Sequence, residues 1–82
     1  MDRTSVRKKI CEILEELHDD IDFEREKKLV DDSLLYSFDL VSLAADLSEE
    51  FDVDITAREF VAENFNSLDS LTDMILRLTE KQ

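Results

Sequence analysis

Neither glycine nor proline occurs in this 82-residue chain. Tight β-turns draw on both, so their absence argues against an all-β fold and in favour of helices. A single cysteine excludes an internal disulfide and fits a reducing cytoplasm. No apolar run approaches membrane-spanning length and the N-terminus has no apolar signal segment, so a cytoplasmic protein with no membrane association is expected. Basic residues are scarce: ten against 22 acidic ones give a formal charge of −12. Phosphate would be repelled, which disfavours nucleic acid and anionic lipid; a basic protein partner or a cation fits better.

What is present is a globular mixture, 43 % hydrophobic and 39 % charged, in a chain long enough for one core and no more. Residues 1–82 are therefore expected to form a single domain. Val6, Ile10, Ile13, Leu14 and Leu17 fall on one stripe at the helical period and predict a helix over 4–18. Arg3, Arg7, Lys8 and Lys9 cluster at its start, the unfavourable end for cations, as ballast or as a counterweight to acidic neighbours. Cys11 on its flank reads as filler.

Residues 19–36 predict a long connection pinned to the core by Ile21, Phe23, Leu29, Val30, Leu34 and Leu35. Its stretch DDIDFEREKK, with Asp20, Asp22 and Glu24 at alternating positions, invites a calcium-loop reading. That reading fails on Arg25 where the loop needs glycine and on Asp31 where it needs a bidentate Glu.

A second helix is expected over 38–51, with Leu40, Ala44, Leu47 and Phe51 in one arc flanked by Leu43 and Val41. Asp39, Ser42, Asp46, Glu49 and Glu50 gather on the opposite side. After an extended link at 52–55, Thr56 with Glu59 three residues on predicts a capping box opening a brief helix to Glu63, with Phe60 and Val61 as its apolar contact. Ser67 is placed to cap a last helix over 68–80, whose stripe is Leu68, Leu71, Ile75 and Leu78 with Met74 beside it. The expected fold class is all-α: three main helices and one short one in a small bundle, with a long packed loop between the first two.

Catalysis finds little to work with, and no enzyme is expected. His18, the one histidine, stands at the end of the first helix, where an imidazolium beside exposed carbonyls is an ordinary stabilising device. Metal-ligand spacing and a glycine-rich phosphate cradle are both missing. Ser37, in LLYSFDL, allows two readings. As an N-cap, its oxygen accepts a backbone N–H from Asp39 or Leu40, with Tyr36 and Val41 as a hydrophobic staple. Alternatively it carries a phosphodiester, which the N–H donors and dipole of a helix start favour. Position alone leaves both open.

The order of segments is itself informative. A long first loop is followed by D-S-L-L-x-S-F-D-L at the start of an acidic helix, then E-E-F-D-V-D-I, then E-N-F-N-S before a final helix. This pattern resembles the acyl carrier proteins over nearly the whole chain, and ENFNS is reminiscent of stand-alone carriers loaded by dedicated ligases. The resemblance implies that a phosphopantetheinyl transferase attaches 4′-phosphopantetheine to Ser37, whose arm then holds an acyl or aminoacyl group as a thioester. It also implies that Asp39, Glu49 and Glu50 dock basic patches of acyl or aminoacyl ligases and acyl-transferring enzymes, with Asp46 acidic on the same face. Ala45 stands where members often show a larger apolar contact residue. The sequence departs from the family at Tyr36, where members carry Asp, and at Ser33, where many have Gly. A monomeric carrier is expected, with no metal site; the rivals are an unmodified acidic interaction module and a cation buffer.

Overall fold

A computed structural model describes residues 2–80 of the chain. Its elements are α1 (Arg3–Leu17), α2 (Ser37–Phe51), a 3-10 turn (Ala57–Glu59), α3 (Ala62–Phe65) and α4 (Leu68–Glu80), with no strand among the described residues. The all-α bundle of three main helices and one short one, with a long loop between the first two, is what forms.

α1 buries Val6, Ile10, Ile13 and Leu14, as its stripe predicts, and Asp2 caps it by accepting the Ser5 N–H at 3.1 Å. The cations at its start prove to be counterweights. Arg7 Nε donates to Asp69 Oδ1 at 2.8 Å and its guanidinium lies 2.9 Å from Glu24, while Arg3 reaches Asp69 and Asp73 and Lys27 lies 3.7 Å from Asp69. The hydrogen bond from Arg7 holds the Asp69 carboxyl below the usual carboxylate range against the opposing effect of burial. Exposed pairs of this kind contribute about 0.2–1 kcal/mol each, so their main effect is to fix how α1 meets α4 and the loop.

The loop is pinned as expected, with Phe23, Leu29 and Leu35 buried and Ile21, Val30 and Leu34 packed against the core. Its carboxylates have structural work. Asp22 Oδ1 accepts the Glu24 N–H at 3.2 Å, and the Asp22 carbonyl accepts those of Arg25 and Glu26 at 3.1 Å each, which turns the chain. Among the described residues no three or more His, Cys, Asp or Glu side chains converge as metal ligands.

In α2 the buried residues are Leu43, Ala44 and Leu47, with Leu40 and Phe51 half-buried against the core. Val41, expected on the flank of the stripe, faces water. Two positions along a helix are about 200° apart, so burying Leu43 turns Val41 to the opposite side.

The segment after α2 differs most from expectation. Thr56 makes no side-chain cap, and the expected single helix divides into the 3-10 turn and α3, with Phe60 at φ −80, ψ 64 between them. The Glu59 carboxylate, instead of reaching back to Thr56, meets Arg77 at 2.5 Å and accepts from Asn64 Nδ2 at 3.3 Å. A charge-assisted pair in a largely covered position outweighs a capping bond to an exposed backbone group. Phe60 and Val61 stay partly exposed, and the core contact comes from buried Phe65, on which the Phe60 ring stacks at 5.5 Å.

α4 begins as predicted, with Ser67 Oγ accepting the Ser70 N–H at 3.0 Å, and buries Leu68, Leu71, Met74 and Ile75. Thr72 is also buried; its hydroxyl is satisfied by donating to the Leu68 carbonyl at 2.8 Å. Among the described residues no helix is long and apolar enough to cross a membrane.

Candidate functional site

Ser37 does not cap α2. Tyr36 holds the N-cap position at φ −100, ψ 172, and Ser37 is the first helical residue, with its side chain exposed. The cap comes from inside the helix: Asp39 Oδ2 accepts the Tyr36 N–H at 3.1 Å. Tyrosine carries no oxygen near its backbone, whereas a carboxylate three residues on reaches the N-cap amide directly. The shift of one residue also moves the staple from Tyr36 and Val41 to Leu35, which is buried, and Leu40, which is half-buried. Tyr36 and Val41 are 66 % and 64 % exposed. The Ser37 hydroxyl is thus free of the capping role that competed with its use.

Asp39 is turned inward. Its side chain is 17 % exposed, and Oδ2 lies 3.0 Å from His18 Nε2. The His18 backbone N–H closes α1 on the Leu14 carbonyl at 2.9 Å. Its ring, expected beside the carbonyls of α1, instead reaches α2. Nε2 is shut off from water with no well-aligned hydrogen bond, and the Asp39 carboxylate is its near neighbour. The Tyr36 N–H, above all, holds the Asp39 carboxyl below the usual range; burial opposes it and His18 adds to it. Of the residues expected on the docking face, Asp39 therefore has a role inside the fold.

Asp46, Glu49 and Glu50 remain exposed, and with Ile13 and Glu16 of α1 they line an open groove of about 350 Å³. Lys9 stands at its edge, 4.0 Å from Glu50. Ala45 is exposed on the same helix. Beside it the structure shows what the sequence reading missed: Phe38, 80 % exposed, and Val41 continue the line of Ala45 at spacings of three and four. The signal was available in the repeat at 38, 41 and 45, which lies off the Leu43–Leu47 side.

The approach to the site is a compact turn. The Leu29 carbonyl accepts the N–H groups of both Leu34 and Leu35 at 2.9 Å, and Ser33 supplies the bend at φ 59, a left-handed conformation that favours glycine.

Serine becomes a nucleophile in its own protein when a base stands beside it. Among the described residues no hydrogen bond joins the Ser37 hydroxyl to a base; the one histidine turns its Nε2 to Asp39 Oδ2 at 3.0 Å. The first bond of α2 runs from the Leu40 N–H to the Tyr36 carbonyl, leaving the N–H groups of Ser37, Phe38 and Asp39 as the donors of a helix start. Those donors and the dipole of a 15-residue helix favour a phosphate on Ser37, and the exposed hydroxyl gives it room, so the residues present fit a phosphopantetheine attachment. No protein-family model and no curated protein matches the chain.

Proposed function

We propose that this protein is an acyl or aminoacyl carrier: Ser37 bears 4′-phosphopantetheine, and the outer face of α2 docks the enzymes that load and unload it. The observation that carries this reading is the exposed Ser37 hydroxyl on the first residue of a 15-residue helix, unspent on capping, beside an apolar strip and free carboxylates. When bound, the arm supplies the terminal thiol on which cargo is held as a thioester.

The chain's own residues attach, orient and dock. Ser37 Oγ would take the phosphopantetheinyl group from coenzyme A, losing its proton and forming a phosphodiester as the pyrophosphate bond breaks and the adenosine bisphosphate leaves, and the first-turn N–H groups would offset the charge of that diester. Asp39 keeps that turn wound through the Tyr36 amide. Phe38, Val41 and Ala45 offer apolar contact, while Asp46, Glu49 and Glu50 steer basic patches of a phosphopantetheinyl transferase, a ligase and acyl-transferring enzymes. A shuttle has to release each enzyme, which suits a small, rapidly formed interface and a monomeric carrier. The half-buried Cys11, whose thiol burial pushes up, suits the reducing cytoplasm in which we place the protein.

Intact mass after incubation with coenzyme A and a broad-specificity phosphopantetheinyl transferase tests the reading. One phosphopantetheine is expected on the parent and none on Ser37→Ala. A parent left unmodified by several transferases favours the rival, an interaction module that uses Tyr36 and Phe38 as exposed anchors with no covalent arm.

A further inference from the structure

The segment that leads to Ser37 is tied to the other end of the chain through one residue, Asn66, at the junction of α3 and α4. Its Oδ1 accepts the N–H of Val30 at 2.9 Å and of Asp31 at 3.0 Å, and its Nδ2 donates to Asp31 Oδ2 at 3.1 Å. Its carbonyl accepts the Leu29 N–H at 2.9 Å. These bonds all fall on three consecutive residues. Leu29 in turn holds the amides of Leu34 and Leu35, and the next amide, that of Tyr36, goes to Asp39 in the first turn of α2. A continuous series of hydrogen bonds thus runs from Asn66 to the turn that carries Ser37.

The side chain suits this use. An amide oxygen accepts from two backbone N–H groups while its nitrogen donates to a carboxylate, a combination that no aliphatic or purely acidic side chain provides. Leu29 and Leu35 are buried and would stay anchored by their apolar contacts without it. What Asn66 adds is the path of the backbone between those anchors.

We propose that Asn66 is a positioning residue for Ser37: it fixes the backbone over residues 29–36 and so presents the serine to its modifying enzyme without touching it. What Ser37 receives rests on the carrier reading; the control of the segment does not. Freeing the segment leaves a smaller fraction of molecules in the presenting conformation, which raises the apparent dissociation constant and leaves the bound complex unchanged.

Two measurements on Asn66→Ala test this. Amide hydrogen exchange on the unmodified protein should accelerate about tenfold or more at Leu34, Leu35 and Tyr36 relative to Ile10 and Ile75 in the core. For transfer to Ser37, KM should rise about tenfold with kcat within about twofold. Combining Asn66→Asp with Asp31→Asn exchanges amide and carboxylate and should restore both values. Where Asn66→Ala does not fold, Asn66→Asp alone, which sets two carboxylates together, takes its place. Exchange unchanged at the three amides, or accelerated equally throughout the chain, overturns the proposal, as does a swap that restores nothing. A parent that no transferase modifies removes the carrier reading, and the exchange pattern then upholds or overturns the role of Asn66 by itself.

Discussion

His18 Nε2 and Asp39 Oδ2 lie 3.0 Å apart, joining the residue that ends α1 to the first turn of α2. The same carboxylate oxygen accepts the Tyr36 N–H, so one side chain holds both the helix start and the helix junction. Asp39→Ala should lower stability by about 1–2 kcal/mol in a urea titration, the scale of a lost cap together with a partly covered polar contact. The pH dependence has a definite sign. A carboxyl held below its ordinary value contributes fully above that value and loses the contribution as pH falls through the lowered pKa. Melting temperature should therefore fall less steeply for Asp39→Asn than for the parent between about pH 5 and 2. Parallel limbs would show that the pair does not contribute.

Tyr36→Asp should accelerate modification of Ser37. A carboxylate there offers a basic synthase pocket a charge-assisted contact of about 1.5–3 kcal/mol, equivalent to about tenfold or more in rate. Packing of the ring on Val41 would have made the exchange costly, but both side chains are exposed. An Asp at the N-cap accepts first-turn N–H groups that Tyr36 leaves alone, so the variant should gain about 0.5–2 kcal/mol of stability. Modification time courses and melting curves of the two proteins decide both points; equal rates would mean that the phenol is accommodated.

Partner docking should depend on Asp46 and Glu49 more than on Glu50 or Asp39. Among the described residues neither of the first two meets a cation, whereas Glu50 lies near Lys9 and Asp39 is engaged by His18. Asp46→Lys with Glu49→Lys should weaken binding to a transferase or ligase and flatten its salt dependence while leaving the fold intact. A titration in which the double variant binds as tightly as the parent would move the docking surface elsewhere.

Ser33→Gly should stabilise the domain by about 1 kcal/mol, because the left-handed conformation at φ 59 costs a side chain that glycine lacks. Thermal melts are sufficient to check it. Asp52, at φ 53 after α2, should gain less from the same exchange, since Asp tolerates that region better than Ser.

Apolar periodicity made the three long helices legible, with boundaries off by about one residue, because burying a stripe is what holds each helix in place. Ser67 was legible too, since an N-cap uses only neighbours. Ser37 was placed one residue too far out because two local solutions competed, a serine cap and a carboxylate at the third position, and Asp39 won with support from His18. At Thr56 the Glu59 N–H goes to the Thr56 carbonyl, and the Glu59 carboxylate goes where no local pattern points, to Arg77, 18 residues on. The same holds for Asp69 with Arg7 and for Asn66 with the loop, where side chains distant in sequence choose their partners only after the helices have packed.

The exposed ring of Tyr36 has an optical consequence. The chain has one tyrosine and no tryptophan, so its intrinsic near-ultraviolet emission comes almost wholly from a single phenol one residue from Ser37. Emission intensity and its collisional quenching by a dissolved solute thus report the solvent access of that spot with no label attached. An enzyme surface that settles over the start of α2 shields the ring and writes its own arrival into the protein's native fluorescence.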